Sequence, residues 1–124
     1  MKRLRILVVE DDYYQAELFR QVLDDAGCDV VGPITSSLAA LSIARDEPID
    51  GALLDVRLHA DTCFPTALAL EQRTIPFAFV TGYSAGGRAE FQQFPGAVVL
   101  SKPITLDELL AVVATFAQAS PRRR

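Results

Sequence analysis

The sequence predicts an α/β protein, a doubly wound (βα)5 sandwich with a parallel sheet in the strand order 2-1-3-4-5. Three observations carry this. Short apolar runs recur along the chain without polar alternation, as strands buried on both faces require. Stretches of helical periodicity with capping residues stand between them. Such strict alternation favours parallel strands joined by right-handed helical crossovers.

In order, Leu4 to Val9 is the first strand. Asp12 is placed to cap the next helix, with Gln15 three residues on, and Ala16, Leu18, Phe19, Val22, Leu23 and Ala26 form its apolar stripe. Gly27 closes it. Asp29 to Gly32 is a short second strand, stopped by Pro33. Ser36 or Ser37 caps a second helix carrying Leu38, Ala39, Leu41, Ile43 and Ala44, and Pro48 lies beyond its end. Asp50 to Asp55 is the third strand, and Arg57 to Pro65 an irregular polar loop. Phe64 or Thr66 opens a third helix with Ala67, Leu68 and Leu70, finished near Arg73. Pro76 introduces the fourth strand, which runs to Thr81. Ser84 to Phe94 is a short helix weakened by Gly86-Gly87, each glycine costing about 1 kcal/mol against alanine. Ala97 to Leu100 is the fifth strand. Thr105 and Glu108 form a capping box for a last helix with Leu106, Leu109, Leu110, Val113 and Phe116 inward.

The 124 residues make one domain, residues 1–124, with the basic end 120–124 expected to be disordered and no room for an effector domain. Half of the residues are hydrophobic, enough for a sizeable core. The net charge of -4 argues against nucleic acid, whose phosphates need a basic surface. The two cysteines, Cys28 and Cys63, have no metal-like spacing and read as reduced thiols. The basic start, Met1 to Arg5, is followed by too short an apolar run for a signal peptide. No segment reaches the roughly 18 apolar residues of a membrane helix, so a cytoplasmic protein is expected.

The chemistry gathers at the carboxyl ends of the strands, where open parallel sheets place their ligands. Glu10 and Asp11 leave the first strand as Asp55 leaves the third, and the expected order makes those strands neighbours. Carboxylates so close disfavour joint ionisation, and a hard cation relieves this. Mg2+ takes oxygen ligands octahedrally and commonly uses one or two carboxylates, so Glu10, Asp11 and Asp55 are its expected ligands, with the Arg57 carbonyl completing the shell. Asp12 is read as a helix cap only. The fourth strand delivers the Thr81 hydroxyl and the fifth the Lys102 ammonium, followed by Pro103, which rigidifies the turn and suits a cis bond. An ammonium, a cation and a hydroxyl around one carboxylate suit a transferring phosphoryl group, with Asp55 as nucleophile. His59, the one histidine, is not required and reads as solvated.

These residues resemble those of response-regulator receiver domains from end to end. The resemblance rests on Leu7-Val8-Val9-Glu10-Asp11-Asp12, Leu54-Asp55-Val56, Thr81-Gly82-Tyr83 and Lys102-Pro103, four motifs in order at the right strand ends. It implies a flavodoxin-like, CheY-like fold in a two-component phosphorelay. Asp55 would accept a phosphoryl group from a sensor histidine kinase or phosphotransfer protein. Glu10, Asp11 and Asp55 would hold Mg2+, Thr81 would bond a phosphoryl oxygen, and Lys102 would pair with it. The output would be binding of a downstream protein, or service as a phosphate sink or relay, by a monomer or weak homodimer. Phe79-Val80-Thr81-Gly82-Tyr83 after Ile75-Pro76-Phe77 is similar to stand-alone receivers with a Phe-Ala-Thr-Gly-aromatic-Tyr signature, although Val80 stands where that signature has alanine. Many receivers carry an aromatic three residues before the lysine that swings inward with the threonine, and here that residue is Val99. Tyr83 is the nearest aromatic to replace it. Arg57 and Tyr83 also flank the acceptor and the threonine, and each is expected to set the lifetime of an aspartyl phosphate.

Three other functions compete on sequence. An Asp-nucleophile phosphohydrolase wants a second aspartate two residues after the first, where this chain has Arg57. A flavin module wants a Ser/Thr/Gly-rich loop after the first strand, where this chain has three acids. A pseudo-receiver that only binds partners has no use for the full acid, threonine and lysine set.

Overall fold

The computed structural model describes residues 3–58, 61–82 and 93–119. Its elements are β1 (Arg5–Val9), α1 (Tyr13–Asp25), β2 (Asp29–Ile34), α2 (Ser37–Asp46), β3 (Gly51–Asp55), β4 (Arg57–Leu58), β5 (Asp61–Thr62), α3 (Phe64–Gln72), β6 (Phe77–Thr81), β7 (Val98–Ser101) and α4 (Leu106–Ala119). Five strands form one sheet in the order β2-β1-β3-β6-β7, every neighbouring pair parallel. That is the expected 2-1-3-4-5 order of the main strands, with β4 and β5 as a separate small hairpin.

The side-chain period of two divides the strands between two cores. Leu7, Val9, Ala52, Leu54 and Phe79 pack with Ala40 and Ala44 of α2 and Ala67 and Leu70 of α3. Ile6, Val8, Leu53, Ala78 and Val80 pack with Phe19 and Leu23 of α1 and Leu109, Val112, Val113 and Phe116 of α4. All five residues of β3 are buried, so the central strand is closed on both faces. Gly51 opens it because Phe116 lies across that position, and a Cβ there would come within 2.5 Å of the ring.

The caps follow the sequence. The Gln15 amide donates to Asp12 Oδ1 at 3.1 Å and the Ala39 amide to Ser36 Oγ at 3.2 Å. Thr105 and Glu108 bond reciprocally, Glu108 N to Thr105 Oγ1 at 3.1 Å and Thr105 N to Glu108 Oε1 at 2.9 Å. Gly27 takes φ +86° just past α1, the left-handed position that favours glycine.

Three expectations are corrected. Pro33 does not stop the second strand, which continues to Ile34 through a cis Gly32–Pro33 bond and a register shift opposite Leu7 and Val9. An edge strand tolerates proline because its missing amide faces no partner. The polar loop after Asp55 contains the antiparallel hairpin β4–β5. The apolar stripes are narrower than the periodicity predicts: Leu18, Leu38, Leu68, Leu106 and Leu110 are exposed, as is Ala26. The helix expected over 84–94 falls almost wholly outside the described residues, as do His59, Tyr83 and the end 120–124.

Candidate functional site

The site forms where β1, β3, β6 and β7 end. The Glu10 amide bonds the Ile34 carbonyl at 3.0 Å, extending the β1–β2 pairing by one residue and fixing where the acids leave the sheet. Asp55 closes β3 and stands in register with Val80, so Thr81 lies one residue further along the adjacent strand. Lys102 follows β7, and its amide donates to the Thr81 carbonyl at 2.8 Å. The Lys102–Pro103 peptide bond is cis, as the sequence suggested.

These elements bring most of the expected set together. One oxygen each of Glu10, Asp11 and Asp55 lies within 4.8 Å of the others. Lys102 Nζ lies 3.3 Å from Glu10 Oε2 and 3.6 Å from Asp55 Oδ2. The Asp12 amide donates to Glu10 Oε2 at 3.2 Å, and the Arg57 amide to Asp55 Oδ1 at 3.4 Å. Glu10 is fully buried, Asp55 and Thr81 are buried, and Asp11 is half-buried. Gly82 is exposed, and nothing lies within 4 Å of where a Cβ would sit, so no crowding demands glycine there.

One lysine cannot balance these acids. Burial, and then the adjoining Asp55 carboxylate, push Glu10 up to about 8. Burial also raises Asp55, opposed by a hydrogen bond from Glu10 and by the Lys102 charge. Glu10 therefore keeps its proton to higher pH than an isolated carboxyl does when no cation is bound. Ionised Glu10 has a buried Oε1 with no hydrogen-bond partner among the described residues. An orphaned, buried carboxylate oxygen beside two further carboxylates is a donor set for a hard divalent cation, so these residues fit Mg2+.

Cys63 sits beside this pocket at the start of α3, with burial and then the Asp55 charge raising its thiol well above the ordinary value. Burial also raises Cys28. Both are free thiols held neutral, as buried structural cysteines are.

Acid, ammonium and hydroxyl groups at the carboxyl edge of an open parallel sheet are the arrangement of a signalling receiver module. The comparisons with known proteins agree. Residues 6–114 match the response regulator receiver domain, and the chain belongs to that family. It is 27% identical over 116 residues to the polar-differentiation response regulator DivK of Brucella ovis, covering 90% of this chain and 94% of DivK. The solution structure of SdrG from Sphingomonas melonis superposes with a TM-score of 0.79 at 34% identity, over 94% of this chain and 98% of SdrG. The receiver domain of the sensor histidine kinase PA1611 from Pseudomonas aeruginosa, solved with a magnesium ion in its active site cleft, shares the fold at TM-score 0.80 and 21% identity, over 94% of this chain and 99% of that domain. Among the described residues no helix is long and apolar enough to cross a membrane.

Proposed function

We propose that this receiver takes a phosphoryl group on Asp55 from a sensor histidine kinase or phosphotransfer protein. The observation that carries the reading is the Lys102 ammonium placed 3.3 Å from Glu10 and 3.6 Å from Asp55 at the mouth of the three-acid cluster. An Asp55 oxygen attacks the phosphorus of a phosphohistidine. The P–N bond breaks, its electron pair stays on the imidazole, and an acyl phosphate forms on Asp55. Hydrolysis returns the carboxylate and releases inorganic phosphate.

Glu10, Asp11 and Asp55 would hold Mg2+, with the Arg57 carbonyl as a further ligand. When bound, the ion neutralises the acids and the phosphoryl oxygens. The chain's own residues do the rest. Lys102 meets the negative charge of the incoming group, and the Thr81 hydroxyl, at the end of the neighbouring strand, takes a phosphoryl oxygen. The Arg57 amide steadies the carboxylate that attacks. The magnesium in the PA1611 receiver supports this cation, and the likeness to DivK supports a response-regulator role.

The protein then acts as a phosphoacceptor that catalyses only its own transfer and dephosphorylation. It is a cytoplasmic regulator, monomeric or weakly dimeric, that binds an unidentified downstream protein or drains phosphate from a relay. Incubation with acetyl phosphate and Mg2+ tests the reading by intact mass. One added phosphoryl group is expected, absent in Asp55→Asn; equal labelling of the variant would refute it.

A further inference from the structure

Asp61 and Ser37 lie outside the acid pocket; the sequence marks Ser37 only as a candidate cap of α2 and Asp61 only as part of a polar loop. Ser37 Oγ donates to Asp61 Oδ2 at 2.9 Å, joining the first turn of α2 to β5. In the hairpin Arg57 stands opposite Thr62 and Leu58 opposite Asp61. One step before them, the Cys63 amide donates to the Val56 carbonyl at 3.2 Å. Antiparallel ladders alternate between pairs that exchange hydrogen bonds and pairs that do not. With Val56 and Cys63 a bonding pair, Arg57 and Thr62 occupy the non-bonding position. The Arg57 amide and carbonyl therefore turn away from β5, and the amide is found donating to Asp55 Oδ1 at 3.4 Å. So long a bond does not place the hairpin; the hairpin places it. Val56, Leu58 and Cys63 anchor its inner side in the core. The Ser37–Asp61 bond secures its outer corner.

We propose that Asp61 and Ser37 are positioning residues that hold the Arg57 main chain against Asp55 and so set how well the pocket takes a hard divalent cation. The cation half of this rests on the receiver reading; the positioning half does not. The competing account is purely structural, with Asp61 only favouring the N-terminus of α2 through the helix dipole.

Two measurements on the chain decide between them. Amide hydrogen exchange at Arg57 is followed in the cation-free protein, and Mg2+ affinity is followed by titration. Asp61→Ala and Ser37→Ala should each speed exchange at Arg57 and weaken Mg2+ binding about threefold, the scale of losing one modest hydrogen bond. The double variant should be no worse than either single one. Asp61→Asn keeps an acceptor for Ser37 and should match the parent. A lowered melting temperature with unchanged Arg57 exchange and unchanged Mg2+ affinity in Asp61→Ala would overturn the proposal. If the parent itself takes no Mg2+, the receiver reading fails, and the exchange comparison alone still decides whether Asp61 positions Arg57.

Discussion

Glu10 is the residue at which sequence, burial and charge meet. Its carboxyl is pushed from about 4.5 to about 8, so in the cation-free protein the folded state holds this proton more tightly than the unfolded chain. The stability it contributes is fully present below pH 4.5 and is lost as pH rises through about 8. Thermal melts of the chelated protein should therefore fall in midpoint across that window, and added Mg2+ should reverse the fall at the alkaline end. Because the cation displaces the proton, Mg2+ affinity should rise with pH by up to about tenfold per unit below that value and level off above it. A flat affinity from pH 6 to 9 would count against Glu10 as a ligand. Lys102→Ala should slow phosphoryl acceptance on the order of a hundredfold, the scale of removing one preorganised donor from a charged transition state. A stopped-flow rate equal to the parent's would deny Lys102 that role.

At the scale of elements, the caps and strands were legible because their signals are local. Asp12, Ser36 and the Thr105–Glu108 pair each act within one helical turn, and their residue types announce it. Thr105→Ala should cost about 1 kcal/mol in chemical denaturation. The strand ends delivered Glu10, Asp11, Asp55 and Lys102 together because a parallel sheet sends every carboxyl end to one edge. What the sequence hid depends on neighbours far away in the chain. Leu38 is exposed while Ala40 and Ala44 are fully buried, because which side of α2 turns inward is decided by the core it packs on, built from strands and α3 far away in the chain. Pro33 reads as a stop until β2 is known to be an edge. The hairpin was invisible because two pairs of residues are too few for a periodic pattern. Phe79 makes the long-range case for packing. It is fully buried, with Phe64, Phe77 and Phe94 ring centroids at 5.5, 5.3 and 5.4 Å. Phe79→Ala should destabilise by about 3–5 kcal/mol, read from urea unfolding.

For the whole molecule, the sheet concentrates negative charge at one edge and leaves it to a ligand to balance. Binding to the folded state alone should stabilise it by mass action, about 2.7 kcal/mol at a Mg2+ concentration one hundred times Kd. Asp11→Asn should remove most of that gain while leaving the cation-free fold intact. The central claim is that Asp55 is a nucleophile made usable by its surroundings. Borohydride reduction after incubation with acetyl phosphate and Mg2+, followed by peptide mass spectrometry, marks the carboxyl that carried the acyl phosphate. The account predicts a single reduced residue, Asp55, that disappears when the cation is chelated. Reduction at Glu10 or Asp11 instead, or none at any carboxyl with Mg2+ present, would contradict it.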